Sequence, residues 1–288
     1  MQKQRYLCKS CGKQFVFRQV VDNQSLYKDY IFGKQTLKQL SDKYKISIST
    51  IRRKLSSVGS TRIISSSKNI VILMDTTYWG RNFGVVVMKD FRTKKVIWRK
   101  FIFRKETLSD YQEGVGWLID NGFAIEGIVC DGLRGMFALF ADYPVQMCQF
   151  HQIGIVRRYL TQHPDLEASI ELLSIIKTLC HTDKERFMTS FDRWQIKWSD
   201  FLKERYIEKK TGKSRYVHQR LRSAYLSIKR NMKYLWIWYD NPEFGIPNTN
   251  NSLEGTFTDL KTKLRNHNGL SKARRMVFID EYFKATFL

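Results

Sequence analysis

The stretch that decides the fold is NIVILMDTTYWG, residues 69–80, in which an apolar run leads directly into a carboxylate. The run, residues 70–74, is rich in β-branched side chains and predicts a strand covered on both faces. An ionised Asp75 is costly there unless something pairs with it. Two interpretations are open: Asp75 begins a turn through Thr76 and Thr77 and bonds to backbone N–H groups, or it has a functional partner.

The segment that follows alternates strand and helix patterns. FGVVVMKDF (residues 83–91) and KVIWRKFIF (residues 95–103) have strand composition and short polar connections. Together with the first strand they predict an antiparallel meander. Apolar residues at helical spacing predict a helix from Thr107 to Asn121. This order of elements indicates an α/β fold.

The opening pattern occurs a second time in AIEGIVCDG, residues 124–132, where an apolar strand stops at Asp131 with Gly132 behind it. Ligands collect at the carboxyl ends of strands in an α/β sheet, so Asp75 and Asp131 are expected to meet at one edge. Two neighbouring carboxylates repel unless they share a proton or a cation, and Mg²⁺ or Mn²⁺ is the hard cation that oxygen ligands select. The pair predicts a metal site, while the turn interpretation stays open for each aspartate.

A third acid, Glu254, lies in NTNNSLEGTFTDLKTKLRNH, residues 248–267. As a helix, this segment has a packing face and a neighbouring polar face. The packing face comprises Leu253, Phe257, Leu260 and Leu264, and the polar face comprises Glu254, Thr258, Lys261 and Arg265. Two interpretations are again open: Glu254 forms a capping box with Asn251 at the helix start, or it joins the two aspartates at a metal.

The charge of the chain points to a polyanionic partner. The 288 residues include 50 Lys and Arg against 27 Asp and Glu, a net charge of +23, and the excess lies mainly outside residues 66–151. This distribution favours nucleic acid over a membrane surface. No apolar run is long enough to span a bilayer and the first residues lack a signal-peptide core, so we expect a soluble intracellular protein with no membrane partner and reduced cysteines.

The N-terminal residues contain a cysteine pair at metal-ligand spacing. In CKSCG, Cys8 and Cys11 can bind one Zn²⁺ from a tight turn. Structural zinc takes four ligands, however, and no second pair follows nearby in the sequence. The segment is therefore either half of a zinc site or two ordinary cysteines in a turn.

Residues 36–58, TLKQLSDKYKISISTIRRKLSSV, have helix-turn-helix spacing, with Ser47 expected as the N-cap of the second helix. That helix would direct a polar and basic set toward phosphates and base edges in a DNA major groove, namely Ser49, Thr50, Arg52, Arg53 and Lys54. The alternative is a helical hairpin whose basic face is merely solvated. Gly and Ser after the second helix predict a linker near residue 60.

These residues together resemble the DDE transposases of bacterial insertion sequences, in particular the Mutator-like group. Asp75, Asp131 and Glu254 match the acidic triad of that group. CQFH, residues 148–151, matches the C-x-x-H motif that follows the second aspartate. The N-terminal RYLCKSCGKQF and the helix-turn-helix are also similar to the front ends of such transposases, where the zinc ribbon has two knuckles instead of one. The resemblance covers most of the chain, from about residue 69 to 280.

The resemblance implies an RNase H-like core with an all-helical insertion domain, preceded by a small helix-turn-helix domain and half a zinc ribbon. The expected boundaries are a partial zinc-ribbon knuckle at 1–18, the helix-turn-helix domain at 19–60, a linker at 61–68, the first part of the core at 69–151, the insertion at 152–243 and the C-terminal helical part of the core at 244–288. The long interval between Asp131 and Glu254 and the helical pattern of residues 166–206 agree with an insertion.

Two residue pairs in this region have open interpretations. Trp194 and Trp198 could stack on DNA bases, or pack on one face into the core of the insertion. Cys148 and His151 could bind zinc together with the neighbouring Cys-His pair, or form a structural pair that ties the core to the insertion. The neighbouring pair comprises Cys180 and His181.

The resemblance also implies two-metal phosphodiester cleavage with Mg²⁺ or Mn²⁺, in which Asp75 and Asp131 share the ions and Glu254 completes the second. The 3′-hydroxyl so formed would attack another phosphodiester and join the ends of the element to double-stranded target DNA, with Lys261 and Arg265 holding the backbone. The helix-turn-helix would recognise terminal repeats, and a homodimer or larger assembly on DNA is expected, in the cytoplasm of a prokaryote and associated with the nucleoid. Two other classes remain: a catalytically silent DNA-binding regulator derived from a transposase, and an RNase H-like nuclease that cleaves without joining.

Overall fold

The computed structural model describes residues 5–15, 21–33, 35–56, 68–267 and 269–285. The chain divides into two compact units: the first joins Met1–Arg62 with Asp259–Leu288, and the second comprises Ile63–Thr258. Within the described residues, no helix combines the length and the hydropathy that crossing a membrane requires. The predicted linker, residues 61–68, lies outside the described residues except for Lys68.

The described N-terminal residues of the first unit form a short hairpin followed by helices. The elements are β1 (Tyr6–Leu7), β2 (Gln14–Phe15), α1 (Asn23–Ile31), α2 (Leu37–Tyr44) and α3 (Ile48–Ser56). Polar caps start these helices by satisfying backbone N–H groups that lack a partner within the helix. Asp22 accepts from Ser25 N at 2.8 Å, and Thr36 and Gln39 form a capping box. Both helices that were predicted between residues 36 and 58 are present.

α1, α2 and α3 pack around a small apolar core. Leu26, Ile31, Leu40 and Ile51 are completely buried. α2 ends at Tyr44, and its C-cap, Lys45, has a left-handed φ of 51°. Ser47 Oγ then accepts a hydrogen bond from Thr50 N at 3.2 Å, so this serine begins α3 as the sequence predicts.

The second unit is built on a five-stranded mixed sheet. Its first elements are β3 (Asn69–Tyr78), β4 (Gly84–Asp90), β5 (Val96–Ile102), α4 (Leu108–Asp120), β6 (Ala124–Cys130), α5 (Met136–Leu139) and β7 (Val145–Met147). The strand order is β5-β4-β3-β6-β7. β3, β4 and β5 pair antiparallel, whereas β3, β6 and β7 pair parallel. The predicted meander is confirmed, and the chain is a mixed α/β protein.

β3 is buried on both faces. The residues of β3 that face α4 form one core cluster with that helix, and they comprise Ile70, Ile72, Met74, Tyr111, Val115 and Leu118. Val71 and Leu73, which point to the opposite face, are equally buried. The continuous apolar run at the start of β3 is therefore required, since a strand with an exposed face would alternate apolar and polar residues.

β3 does not stop at Asp75. The strand continues to Tyr78 because β4 remains paired with it along this whole stretch. The interpretation in which Asp75 begins a turn through Thr76 and Thr77 is wrong, since both residues lie within the strand. On the other side of β3, the pairing with β6 extends to Leu73. Asp75 therefore lies just beyond the last residue of β3 that pairs with β6.

A mostly helical region follows β7. Its elements are α6 (Gln149–Leu160), α7 (Glu167–Thr178), α8 (Lys184–Lys197), β8 (Arg205–Ile207), β9 (Ser214–Tyr216), α9 (Gln219–Leu235) and α10 (Ile237–Asp240), with 3₁₀ turns at Leu179–His181, Phe201–Lys203 and Pro242–Phe244. Apolar residues of α6 to α9 form one core cluster that also contains Met147 of β7. This region is therefore packed onto the end of the sheet through β7.

The prediction that this insertion is all-helical is wrong. β8 and β9 form an antiparallel hairpin, in which Arg205 lies opposite Tyr216. The connection turns at Gly212, whose φ of +65° suits a residue without a Cβ. Gly212 N also donates to Glu208 O at 2.8 Å. The turn residues thus close a hairpin where the sequence pattern had predicted that the helix continues to residue 206.

The last described helices are α11 (Asn251–Arg265) and α12 (Lys272–Ala285). Residues from Asp259 onward group with the N-terminal unit, whereas the sequence analysis assigned all of 244–288 to the core. Aromatic contacts explain this grouping. Tyr30 lies 4.2 Å from His267 and 5.8 Å from Phe278 between ring centroids, and its carbonyl oxygen is 3.0 Å from His267 Nε2.

Candidate active site

The register of β3 and β6 places Asp75 and Asp131 side by side. Leu73 lies opposite Val129 in this parallel pair, and each aspartate follows two residues later. Because side chains alternate along a strand, Asp75 points to the face opposite α4, and the charge of Asp131, the residue that follows β6, acts on Asp75. The two acids that the sequence singled out at the strand ends are therefore neighbours.

Asp75 carries the most perturbed carboxyl group of this region. Burial raises its pKa to about 8, and the negative charge of Asp131 adds to the shift, followed by the charges of Glu106 and Glu254. The backbone N–H of Thr76 donates to Asp75 Oδ1 at 2.7 Å and opposes the shift. A carboxyl group surrounded by other carboxylates favours a bound proton or a bound cation.

Asp131 is oriented by the turn that follows β6. Its Oδ1 accepts a hydrogen bond from Leu133 N at 3.0 Å. Gly132, between them, has a φ of +83°, which residues with a Cβ rarely adopt. Oδ1 of Asp131 therefore makes the backbone hydrogen bond that the turn interpretation expects. The other oxygen has no protein hydrogen bond within the described residues.

Glu254 reaches this region from the start of α11. The N-cap of α11 is Asn250, whose carbonyl oxygen accepts from Leu253 N and Glu254 N at 2.9 and 3.1 Å. Asn251 is the first residue inside the helix, so the predicted capping box between Asn251 and Glu254 is wrong. The Asn250 side chain donates to Met74 O at 3.1 Å. α11 thus begins against β3, one residue before Asp75.

Lys89 is a second anchor of α11, which the sequence analysis missed. It lies on β4 opposite Leu73 and is buried. Its Nζ donates to Ser252 O, Ser252 Oγ and Thr256 Oγ1 at 2.8 to 3.0 Å. Burial lowers the pKa of Lys89 to about 8. A lysine directly after the apolar run GVVVM of this buried strand was the available signal, because such a side chain needs partners.

Glu106 is another residue that the sequence analysis missed. It accepts a hydrogen bond from Tyr111 OH at 2.8 Å, and the same hydroxyl lies 2.9 Å from Thr76 Oγ1. Its charge is among those that raise the pKa of Asp75. Glu106 lies just before α4, outside the strand-end pattern, so periodicity alone did not identify it.

Glu254 also belongs to a second group of side chains. Among the described residues, Cys148, His151 and Glu254 form a trio whose candidate ligand atoms all lie within 4.8 Å of one another, and Asp75 and Asp131 are not part of it. Cys148 Sγ accepts from Asn250 N at 3.2 Å. Burial raises the pKa of the Cys148 thiol to about 12. The C-x-x-H motif therefore lies directly beside the start of α11.

The zinc set that combined Cys148 and His151 with Cys180 and His181 does not form in the described structure. Cys180 lies in the 3₁₀ turn Leu179–His181, and its carbonyl oxygen accepts from Asn248 Nδ2 at 3.2 Å. The backbone of this turn, and not its thiol, holds the segment before α11. The side chain that accompanies Cys148 and His151 is that of Glu254.

Trp194 and Trp198, the tryptophans considered for base stacking, both make contacts within the insertion. Trp194 is buried, donates from Nε1 to Ala168 O at 2.9 Å and stacks with Phe191. Trp198 is partly buried, and its Nε1 donates to Glu171 Oε2 at 2.7 Å. Trp194 is therefore a core residue, as the alternative interpretation held, because its ring and its N–H are both satisfied inside the insertion.

Cys8 and Cys11 lie in a tight turn between β1 and β2. Cys8 N donates to Lys13 O and Gly12 N donates to Cys8 O, both at 2.9 Å. Hydrogen bonds, the largest from the Ser10 side chain, lower the pKa of Cys8 to about 6. A thiolate in such a turn suits zinc. No third cysteine, histidine or acid joins the pair within the described part of the chain.

The predicted DNA-facing side chains of α3 are not equivalent. Ser49, Arg52 and Arg53 are exposed and Thr50 is partly buried. Lys54 instead donates to Val21 O and Asn23 Oδ1, both at 2.9 Å, and so holds α3 against α1. On α11, Lys261 is partly buried and Arg265 is exposed, both on the C-terminal side of Glu254.

No protein-family model matches this sequence, and no curated protein matches it. Among solved structures, it aligns with a chain of the cryo-EM structure of the simian T-cell lymphotropic virus intasome in complex with the PP2A regulatory subunit B56 gamma. The identity is 14%, the alignment covers 55% of this chain and 69% of that chain, and the TM-score is 0.23. A TM-score of 0.23 does not show a shared fold, so function is inferred below from the side chains of this chain.

Proposed function

We propose that this protein is a DDE-type transposase, which cleaves DNA strands with a divalent metal and transfers them to a target. The observation that carries the proposal is the adjacent pair of Asp75 and Asp131 at neighbouring positions of β3 and the end of β6, with Asp75 further influenced by Glu254 from α11. Apolar residues would pack better than acidic side chains at this place, so packing does not explain why acids from separate elements are brought together here. They fit a metal-dependent reaction on phosphodiesters.

The acids fit Mg²⁺ or Mn²⁺ by their chemistry. Their donor atoms are all oxygens, and burial, together with repulsion from the neighbouring acids, raises the pKa of Asp75 to about 8. Asp75 and Asp131 each have one oxygen held by a backbone N–H group, which leaves the other to bind a cation. Bound metal ions would supply activation of a water or 3′-hydroxyl and stabilisation of the leaving oxygen.

The chain's own contribution is to hold the third acid in place. Lys89 fixes the first turns of α11 through Ser252 and Thr256, the residues that flank Glu254 at two positions on either side. Asn250 fixes the start of the same helix to β3. These contacts orient Glu254 through its helix and do not involve its carboxylate. A carboxylate held in place in this way is positioned before the reaction begins, which favours catalysis.

The rest of the proposal concerns fold and DNA. An antiparallel meander followed by parallel strands, with one acid on the central strand β3 and another directly after its neighbour β6, supports an RNase H-like core. The net charge of +23 and the exposed Arg52 and Arg53 on α3 support binding of double-stranded DNA by the helix-turn-helix. Lys261 and Arg265 would contact the backbone, and a homodimer or larger assembly would bring two element ends together.

The test is nicking of supercoiled plasmid DNA with Mn²⁺ or Mg²⁺, followed by joining of a labelled oligonucleotide with a 3′-hydroxyl end to that plasmid. We expect both activities from the wild type and neither from Asp75→Asn or Glu254→Gln. Asp142→Asn is the matched control, because Asp142 is an exposed acid of the same unit. Circular dichroism establishes that each variant is folded.

The outcomes separate the alternatives. Nicking without joining would indicate a nuclease of RNase H-like fold. DNA binding without either activity would indicate a regulator derived from a transposase. Nicking that persists in Asp75→Asn and Glu254→Gln would remove the catalytic role of these acids and, with it, the proposal.

A further inference from the structure

The trio of Cys148, His151 and Glu254 has the geometry of a metal-ligand set. His151 Nδ1 lies 3.6 Å from Glu254 Oε1, which is too long for a hydrogen bond. His151 Nδ1 is shielded from solvent and has no hydrogen-bond partner within the described structure. A shielded ring nitrogen without a partner is costly. An ion that bridges this nitrogen and the carboxylate would satisfy it.

Two helix starts hold the three side chains in place. Cys148 is the N-cap of α6, and His151 follows one helical turn later, so both lie at the same end of the helix. Asn250 N donates to Cys148 Sγ, the kind of N–H contact that stabilises a metal-bound thiolate. The same asparagine is the N-cap of α11, which supplies Glu254 four residues later. The group is therefore built on backbone contacts between α6 and α11.

The donor atoms identify the ion. A sulfur, an imidazole nitrogen and a carboxylate oxygen are ligands of Zn²⁺, whereas Mg²⁺ and Ca²⁺ select oxygen. Three protein ligands with an open fourth position are typical of zinc sites that exchange a ligand. We propose that Cys148, His151 and Glu254 bind Zn²⁺, and that this site shares Glu254 with the metal site at Asp75 and Asp131.

The sharing has a functional consequence, and that part rests on the proposed function. A carboxylate bound to Zn²⁺ beside His151 is less available to complete the Mg²⁺ or Mn²⁺ site at Asp75 and Asp131. Zn²⁺ would then inhibit strand cleavage by engaging Glu254, without any contact with DNA. His151→Ala should relieve this inhibition while leaving all three acids in place.

The direct test uses Co²⁺ as a spectroscopic substitute for Zn²⁺. It is carried out in a Cys8→Ser, Cys11→Ser background, so that the N-terminal cysteines do not contribute. We expect a thiolate-to-cobalt absorption band that Zn²⁺ abolishes by displacement. Cys148→Ser should remove the band, and Cys180→Ser, which changes the partly buried cysteine outside the trio, should leave it unchanged.

A second measurement covers the case in which Cys148→Ser does not fold. His151→Ala keeps the thiol, and the affinity for Zn²⁺, measured by competition with a chromophoric chelator, should fall by at least about tenfold, since even outer partners of metal ligands contribute that much. A band that survives Cys148→Ser, or an affinity unchanged in His151→Ala, would overturn the zinc site.

The two proposals fail in different ways. Zinc binding to a protein that never nicks DNA would refute the proposed function and leave the zinc site intact. Nicking by a protein that binds no Co²⁺ or Zn²⁺ in the Cys8→Ser, Cys11→Ser background would refute the zinc site and leave the proposed function intact. Zinc binding together with Mn²⁺-dependent nicking that Zn²⁺ inhibits in the wild type, but not in His151→Ala, would support the shared carboxylate.

Discussion

Asp75 shows how one residue can be costly to the fold and useful to the site. It follows five apolar residues on β3, and β4 continues to pair beside it. Burial and the charges of Asp131, Glu106 and Glu254 all oppose its ionisation. The folded protein therefore retains a proton on this carboxyl group over a pH range in which the unfolded chain has released it.

The pH dependence of stability follows from this shift. The folded pKa of Asp75 is about 8 and the ordinary value is 3.8. Between these values the folded state binds more protons than the unfolded state, so metal-free stability falls as pH rises from about 4 to about 8. Asp75→Asn lacks this titration, so its stability relative to the wild type should increase between pH 5 and pH 8.

Urea unfolding with a chelator present at both pH values measures this difference. Asp142→Asn, which changes an exposed acid outside the site, should follow the wild type at both. Mg²⁺ should reduce the advantage of Asp75→Asn, because a bound cation favours the ionised wild-type carboxylate. An equal difference between Asp75→Asn and wild type at pH 5 and pH 8 would contradict the pKa shift.

The sequence identified Asp75 and Asp131 as candidate site residues, but it did not identify the residues that hold α11 beside them. Asp75 and Asp131 were visible because each follows an apolar strand, and that pattern is local. Lys89 and Asn250 act through contacts with residues far away in the sequence, Ser252 and Met74. A periodic pattern contains no information about such partners, so the anchors of α11 emerged only from the structure.

At the scale of elements, the basic residues of α3 have two different roles, which the composition of the helix did not distinguish. Arg53 is exposed, whereas Lys54 donates to Val21 O and Asn23 Oδ1 of the segment that leads into α1. A basic residue that satisfies backbone and side-chain oxygens within its own unit stabilises the fold. An exposed basic residue on the same helix is available for phosphate.

DNA binding to a random-sequence duplex should therefore respond differently to the two substitutions. Arg53→Gln should weaken binding and lower the slope of log affinity against log salt concentration by up to about 0.9, the contribution of one phosphate contact. Lys54→Gln should leave that slope unchanged and lower the thermal stability of the N-terminal helices. Fluorescence anisotropy at several salt concentrations measures the slope, and equal slopes for Arg53→Gln and wild type would contradict a phosphate contact.

The hairpin β8–β9 marks the limit of periodicity as a predictor of elements. Residues 166–206 have enough apolar residues at helical spacing to suggest helix throughout, and α7 and α8 are indeed helices. The chain leaves this pattern at Arg205, the first residue of β8. Seven residues later, Gly212 has a positive φ and closes the turn of the hairpin. The β3–β6 core was predicted more accurately because its strands are longer and bounded by turn residues on both sides.

At the scale of the whole molecule, the first unit is assembled from both ends of the described chain. Phe278 of α12 is buried, with its ring centroid 5.8 Å from that of Tyr30 on α1. Residues 244–288 were assigned to the core because the family resemblance implied it, whereas the boundary predicted from composition was the Gly- and Ser-containing stretch near residue 60. A unit made of two distant segments cannot be recognised from composition, because contacts between the segments hold it together.

Phe278→Ala should consequently destabilise helices that are more than 200 positions away in the sequence. Truncation of a buried phenylalanine costs about 3–5 kcal/mol. Hydrogen exchange should therefore accelerate in α1, α2 and α3, with little change in β3 and β6. Val277→Ala is the matched control, because Val277 is 41% exposed. Faster exchange confined to α12 would show that the N-terminal helices are stable without this contact.

The two-segment construction of the first unit also has a consequence for how the protein is made. A ribosome adding about 5–20 residues per second takes about 10–40 s to pass from residue 62 to residue 259. During that interval Tyr30 lacks His267 and Phe278, so α1 to α3 emerge first and acquire their aromatic partners last. The sheet unit, encoded between the two segments, has all of its strands before those partners exist. The order in which the units are completed is therefore the reverse of the order in which they begin: the unit that contains the N-terminal helices is completed after the sheet unit that follows them.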